Sequence, residues 1–160
     1  MIRKIEIVLE RRGVRAVAEL LDEEAPKTCA AVWDALPIRA GTYHAKWANN
    51  EIFVLVPPFA AEEPGRENAT VFPIPGDLCY FFIPPGAAAP PELRAQCDRT
   101  GLIDLAVFYG RDNYLLGPEG HMPGNVFATI TEGLKAFAAA SQDAFRNGMA
   151  EETLVVRRLE

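Results

Sequence analysis

The sequence predicts a mainly β fold, a closed or nearly closed antiparallel β-barrel with two helices. Three observations predict it. Short runs of alternating or β-branched residues recur along the whole chain, most of them meet at turn-forming residues, and only two long stretches carry a helical period. Closing such strands into a barrel removes exposed edges, and helices can plug its ends. The 160 residues are read as one domain, 1–160, large enough to bury a core without metal or disulfide staples.

Ile5, Ile7 and Leu9 alternate with Glu6, Val8 and Glu10, and Arg12-Gly13 turns the chain into Val14 to Leu21, which predicts a hairpin. The acidic knuckle Asp22-Glu23-Glu24 follows. Pro26 then suits the first turn of a helix, where its missing N–H is not needed, and Cys29, Val32, Trp33 and Leu36 give that helix one apolar face up to Pro37. Thr42 to Ala48 and Glu51 to Val56 read as a second hairpin around Asn49-Asn50, which tolerate the positive φ of a tight turn.

Pro57-Pro58 and the polar stretch 62–68 predict a loop, and Ala69 to Pro73 and Asp77 to Ile83 resume extended structure around Pro75-Gly76. Pro84 to Pro91 is too rich in proline, glycine and alanine for a strand and reads as a flap, with about two helical turns over Glu92 to Cys97. Ile103 to Tyr109 and Tyr114 to Leu116 are expected to form a hairpin, and Asn125 to Ile130 a strand after the loop Gly117 to Gly124. A helix is expected from about Glu132 to Arg146, with Thr131 as its cap, Leu134, Phe137, Ala138, Ser141 and Phe145 on one face, and Gly148 at its end. Thr153 to Leu159 reads as the closing strand.

A net charge of −6, with basic residues scattered among acids, excludes the cationic stripe that nucleic acid requires. Cys29, Cys79 and Cys97 are odd in number and contain no C-x-x-C pair, so they are read as reduced thiols of a cytoplasmic protein. No apolar run approaches a membrane span, and no leader is expected, since Arg3, Lys4 and Glu6 come at once. The sequence lacks a Gly-x-Ser-x-Gly elbow, a phosphate loop, a dinucleotide fingerprint, and H-x-H or H-E-x-x-H pairs, so neither a cofactor nor a metal is expected.

The segment from Val17 through Glu19-Leu20 and Asp22 to Pro26-Lys27-Thr28 resembles the opening of the cyclophilin fold. There a strand ending in Glu-Leu is followed by an Asp, and Pro-Lys-Thr opens the first helix. The whole chain resembles a bacterial cyclophilin-like family of unknown function through Gly76-Asp77-Leu78 with its following aromatics and through Pro123-Gly124-Asn125-Val126-Phe127-Ala128. The resemblance implies a ligand groove on a barrel, but it fails at the isomerase motif. Prolyl isomerases of that fold carry Phe-His-Arg after the first helix and a Gln-Gly-Gly run beyond it. Here Tyr43-His44-Ala45 is the nearest counterpart and no Gln-Gly-Gly follows, so the donor that favours a twisted prolyl amide is missing.

The residues that can carry chemistry form three groups. His44, with Tyr43, Trp47 and Glu51 close in sequence, and His121, with Glu119 and Asn125, could each make a His–Glu proton-transfer pair, or else be structural histidines with one hydrogen bond. Arg66 in a polar loop and Arg111 between Tyr109 and Tyr114 could clamp a carboxylate, or else be solvated loop arginines. Asn49-Asn50 are better explained by turn chemistry and Cys79 by burial. The loop Gly117 to Gly124 could line a pocket with backbone N–H groups.

The leading expectation is a protein without isomerase activity that binds a small polar metabolite, an amide or a carboxylate, by analogy with similar barrels in amide-hydrolysing enzymes. The alternatives are an enzyme with a His/Glu general base, a residual isomerase, and a structural homo-oligomer using the Pro84 to Pro91 segment and the 49% apolar content.

Overall fold

The computed structural model describes residues 1–160. In chain order its elements are β1 (Lys4–Leu9), β2 (Val14–Leu20), α1 (Pro26–Ala35), β3 (Ile38–His44), β4 (Glu51–Val56), β5 (Ala69–Thr70) and β6 (Asp77–Ile83). They are followed by α2 (Arg94–Thr100), β7 (Leu102–Phe108), β8 (Leu116–Gly117), β9 (Gly120–His121), β10 (Gly124–Glu132), α3 (Leu134–Asn147) and β11 (Thr153–Arg158). Eight strands pair in the order β2-β1-β11-β3-β4-β7-β6-β10, and β10 pairs back onto β2. The barrel is therefore closed, and its ladders are antiparallel throughout. β5 lies beside the start of β10, and β8 and β9 form a separate small ribbon.

Alternation along the strands separates two cores. Ile52 and Val54 of β4, Leu78 and Tyr80 of β6, and Ile103 and Leu105 of β7 face the barrel interior, where they meet Val32 of α1 and Phe137 of α3. Successive residues point the other way, so Cys79, Phe81 and Ile83 of β6 and Leu102, Ala106 and Phe108 of β7 lie on the outer face. That face is not left to solvent. The stretch 84–100 and the loops around Leu115 and Met122 pack over it, which explains why β6 and β7 are nearly continuous apolar runs.

Hydrogen bonds from afar tie the ends of these elements. Glu152 is 1% exposed, and its carboxylate accepts from the N–H groups of Arg11 (2.8 Å), Arg12 (3.1 Å) and Thr153 (2.9 Å) and from the Arg12 guanidinium (3.1 Å). It thereby joins the β1–β2 turn to β11. At the start of α1, Ala25 offers no capping side chain, and Glu67 supplies it from another loop by accepting from the N–H groups of Lys27 (3.1 Å) and Thr28 (2.8 Å).

Several local expectations are corrected. β3 starts at Ile38, after a cis Leu36–Pro37 bond, and ends at His44, so the connection to β4 is the six-residue loop 45–50 rather than a two-residue turn. Tyr114 to Leu116 do not pair with β7, because β4 and β6 already occupy both edges of that strand. The helical turns expected over Glu92 to Cys97 do form, as α2 at Arg94–Thr100, and bring the helices to three rather than two. Thr131 lies in β10 and caps nothing, and Gly133 at φ +81° opens α3 instead. Only glycine fits there, because a Cβ would come within 2.7 Å of the Arg15 carbonyl. Phe145 faces outward, 59% exposed, with its ring 4.6 Å from that of His44.

Candidate binding cavity

On β4 the outward positions are Glu51, Phe53 and Leu55, and on the neighbouring β7 they are Asp104, Ala106 and Phe108. Pairing sets Leu55 opposite Asp104 and Phe53 opposite Ala106, while β6 places Phe81 on the other side of Asp104. The small Ala106 among these aromatics leaves the outer face concave. Three segments rise around it: the loop 45–48, the flap at Ala88 and Pro90, and the loop from Leu115 to Met122. Together they enclose a cavity of about 250 Å³, somewhat below the roughly 300–1,000 Å³ usual for drug-sized ligands. The Ala88 N–H donates to Glu119 at 3.3 Å, joining the flap to the far loop at the mouth.

Most of the lining is apolar, and two carboxyls stand out within it. Glu51 is 5% exposed. Asp104 keeps some surface on the cavity, but its Oδ1 is inaccessible and has no hydrogen-bond partner. Neither side chain takes part in an ion pair. Burial pushes the Glu51 carboxyl up to about 8. Asp104 is driven well above the usual carboxylate range by burial and then by the nearby Glu51 charge. A buried polar atom without a partner costs about 1–3 kcal/mol, so a fold would discard such a group unless something used it.

Of the nine residues singled out from the sequence, Trp47 and Glu51 line this cavity. His44 lies beside it in a second, open cavity of about 440 Å³ shared with Ala45, Lys46, Asn49 and Phe145. Its Nδ1 donates to the Ala45 carbonyl (2.8 Å), which leaves Nε2 to accept from the Tyr109 hydroxyl (2.5 Å). Burial holds this imidazole below its ordinary value, against the opposing Ala45 bond. His121 bonds the Tyr114 hydroxyl at 2.6 Å on the exposed β8–β9 side, where Tyr114 also stacks on Phe72. Neither histidine hydrogen-bonds a glutamate, so of the two alternatives read from the sequence the structural one fits the geometry and the His–Glu pair does not.

Arg66 and Arg111 are exposed and make no ion pair. The Arg111 backbone is used instead, its carbonyl accepting from Asn50 (2.9 Å) and Asn49 (3.2 Å). Both asparagines therefore brace the turn. Asn125 is 4% exposed and braces the α1 junction, donating to the Thr28 hydroxyl (3.1 Å) and the Gly65 carbonyl (2.7 Å). Cys79 is buried, and burial pushes its thiol well above the ordinary value.

Asp104 escaped the sequence reading. An acid at an outward position inside the apolar run Leu102 to Phe108 was the available signal, since a two-sided buried strand has no solvent face for it.

Comparison with known proteins agrees with this architecture. Residues 7–156 match a family model described as a protein of unknown function, DUF3830. No curated protein matches the chain. Among solved structures, McbB in complex with tryptophan superposes with a TM-score of 0.65 at 19% identity, over 96% of this chain and 44% of that one. The chain thus spans less than half of the McbB chain. A hypothetical protein of Archaeoglobus fulgidus, AF2241, gives a TM-score of 0.53 at 23% identity, covering 99% of this chain and 95% of its own. The Mimivirus cyclophilin gives 0.54 at 10% identity, covering 98% and 87%. At these identities the likeness is one of fold, a cyclophilin-like barrel.

Proposed function

Because the chain belongs to the DUF3830 family of proteins of unknown function, we propose a role from its own geometry: it binds a small molecule in the outer-face cavity and does not isomerise prolyl bonds. The observation that carries this reading is the presence of Glu51 and Asp104, in no ion pair and with Asp104 Oδ1 unpartnered, on the lining of a mostly apolar cavity of about 250 Å³. McbB, which shares the barrel, was solved with a small molecule, tryptophan, and that supports a ligand role by analogy. Three buried free thiols suit a reducing compartment and hence the cytoplasm.

The expected carboxylate ligand does not suit this site, since an anion would meet two acids in low dielectric. An amide or amine can donate to them. Isomerase activity is opposed by Ala45, which lines the cavity where the resemblance calls for an arginine. In place of a guanidinium the face offers carboxyls, which cannot donate a cationic hydrogen bond to a twisted amide. Thermal-shift screening against a metabolite panel, repeated on Ala45→Trp to plug the cavity, tests the reading. Stabilisation by a ligand that vanishes in the plugged variant is the expected result, and an equal shift in both proteins would refute it.

A further inference from the structure

We propose that the ligand is a compact organic ammonium, with its apolar body against Phe53, Phe81 and Trp47 and its charged nitrogen between Glu51 and Asp104. This inference rests on the reading that the cavity is the binding site, and it adds the chemical class of the occupant. Two independent features point to it. The first is the presence of two carboxyl residues on the lining, Glu51, 5% exposed and in no ion pair, and Asp104, whose Oδ1 is buried without a partner, so that the wall offers carboxyls and no buried donor for them. The second is the aromatic character of the lining, which includes Phe53, Phe81 and, at the exposed rim, Trp47, since aromatic rings attract a cation.

The surrounding groups leave that place open to a cation. Lys46 is the basic residue on the lining, exposed at the rim and paired with neither acid. From β6, Cys79 and Asp77 face the pair with a neutral thiol and a carboxyl raised by burial. From β3, the Tyr43 hydroxyl donates to Glu92 at 2.6 Å, and from the far loop Glu119 accepts from the Ala88 N–H. None of these brings positive charge to Glu51 or Asp104.

The chemistry has a measurable consequence. In the empty protein burial favours the protonated form of both carboxyls, because no positive charge compensates them there. An ammonium that enters stabilises a carboxylate, so one O–H bond breaks, the proton leaves to solvent, and the bound state carries an ammonium–carboxylate pair. The complex holds fewer protons than the separate partners. Affinity for an amine therefore rises with pH, by about tenfold per unit if one proton is released, until the pair ionises unaided or the free amine loses its charge.

Isothermal titration calorimetry on the full chain tests this with phenethylamine, tryptamine and cyclohexylamine, each beside its alcohol and carboxylate counterpart, between about pH 6 and pH 8 in two buffers of different ionisation enthalpy. The expected result is amine binding that strengthens with pH and releases close to one proton, with carboxylates excluded. Glu51→Gln and Asp104→Asn keep the shape of the protonated residues, and should fold while losing about tenfold or more in amine affinity together with its pH dependence. If alcohols or carboxylates bind as tightly as amines and Ala45→Trp blocks them, the cavity stands as a site and the ammonium inference falls. If no amine binds, or if binding survives Ala45→Trp, the ammonium inference falls as well, the latter taking the cavity reading with it.

Discussion

Glu67 closes the N-terminus of α1 through Thr28, accepting from its N–H and from its hydroxyl, both at 2.8 Å. The two residues lie far apart in sequence, and Asn125 locks the arrangement by donating to the same hydroxyl and accepting from the Glu67 N–H at 3.1 Å. A helix whose own N-cap residue is alanine thus borrows its cap from the loop before β5.

Glu67→Ala should cost about 1 kcal/mol, the usual worth of an N-cap, measured by urea unfolding. The pH dependence has a definite sign. Burial pushes the Glu67 carboxyl up, but hydrogen bonds from Thr28 and Lys27 outweigh it and hold it below its ordinary 4.5. A carboxyl depressed in the folded state stabilises above its unfolded value, and that stability is lost as pH falls through the folded one. Wild type and Glu67→Gln should therefore differ most above about pH 4.5 and converge in more acidic solution.

Glu152→Ala removes the acceptor for three backbone N–H groups and the Arg12 guanidinium at once. Breaking a buried pair in this way should cost about 3 kcal/mol or more. Chemical denaturation of the variant checks it, and a loss under about 1 kcal/mol would mean that water replaces the carboxylate.

His44 should titrate below 6.5, because burial disfavours its cation. A histidine with a depressed folded value stabilises the protein above the unfolded value, and the contribution is lost as pH falls from about 6.5 through the folded midpoint. The imidazole is half-buried, so the slope is small. An NMR titration of the ring protons reads the midpoint directly.

Gly124→Ala would place a Cβ within 2.6 Å of Phe81 Cζ and 3.0 Å of Cys79 Cβ. The Phe81 ring lines the cavity and must tilt towards that open space. The expected cost is about 1–3 kcal/mol in stability, with weaker binding of any cavity ligand. Unchanged affinity alongside lost stability would show that the ring moves another way.

A proline-peptide assay should find no isomerase activity in the wild type. Ala45→Arg restores a guanidinium on the face but sets it beside Glu51 and Asp104, where an ion pair with them competes with any substrate amide. No gain of activity is expected from that single change.

The strands, the first helix and the last were legible because their signals are local. The alternation of Ile5, Ile7 and Leu9, the proline that opens α1 and the glycine that ends α3 act within a few residues of themselves. The recurrence of short paired strands pointed to a barrel, and the Val17 to Thr28 resemblance made it a cyclophilin-like one. Local signals misled where two strands competed for one edge: Tyr114 to Leu116 look extended, yet β4 and β6 had already filled both sides of β7.

The candidate site was legible only at Trp47 and Glu51. By itself the sequence determined where most strands and the first and last helices fall, that the chain could close a barrel, and that the isomerase arginine is absent. Tertiary structure alone decided that Asp104 and Glu51 line a shared cavity, that Asn125 is a brace, and that His44 bonds Tyr109 rather than a glutamate. The physical reason is range. Periodicity and turn chemistry report forces between neighbours in the chain, whereas a binding site is made by side chains that strand register and loop packing bring together from distant segments.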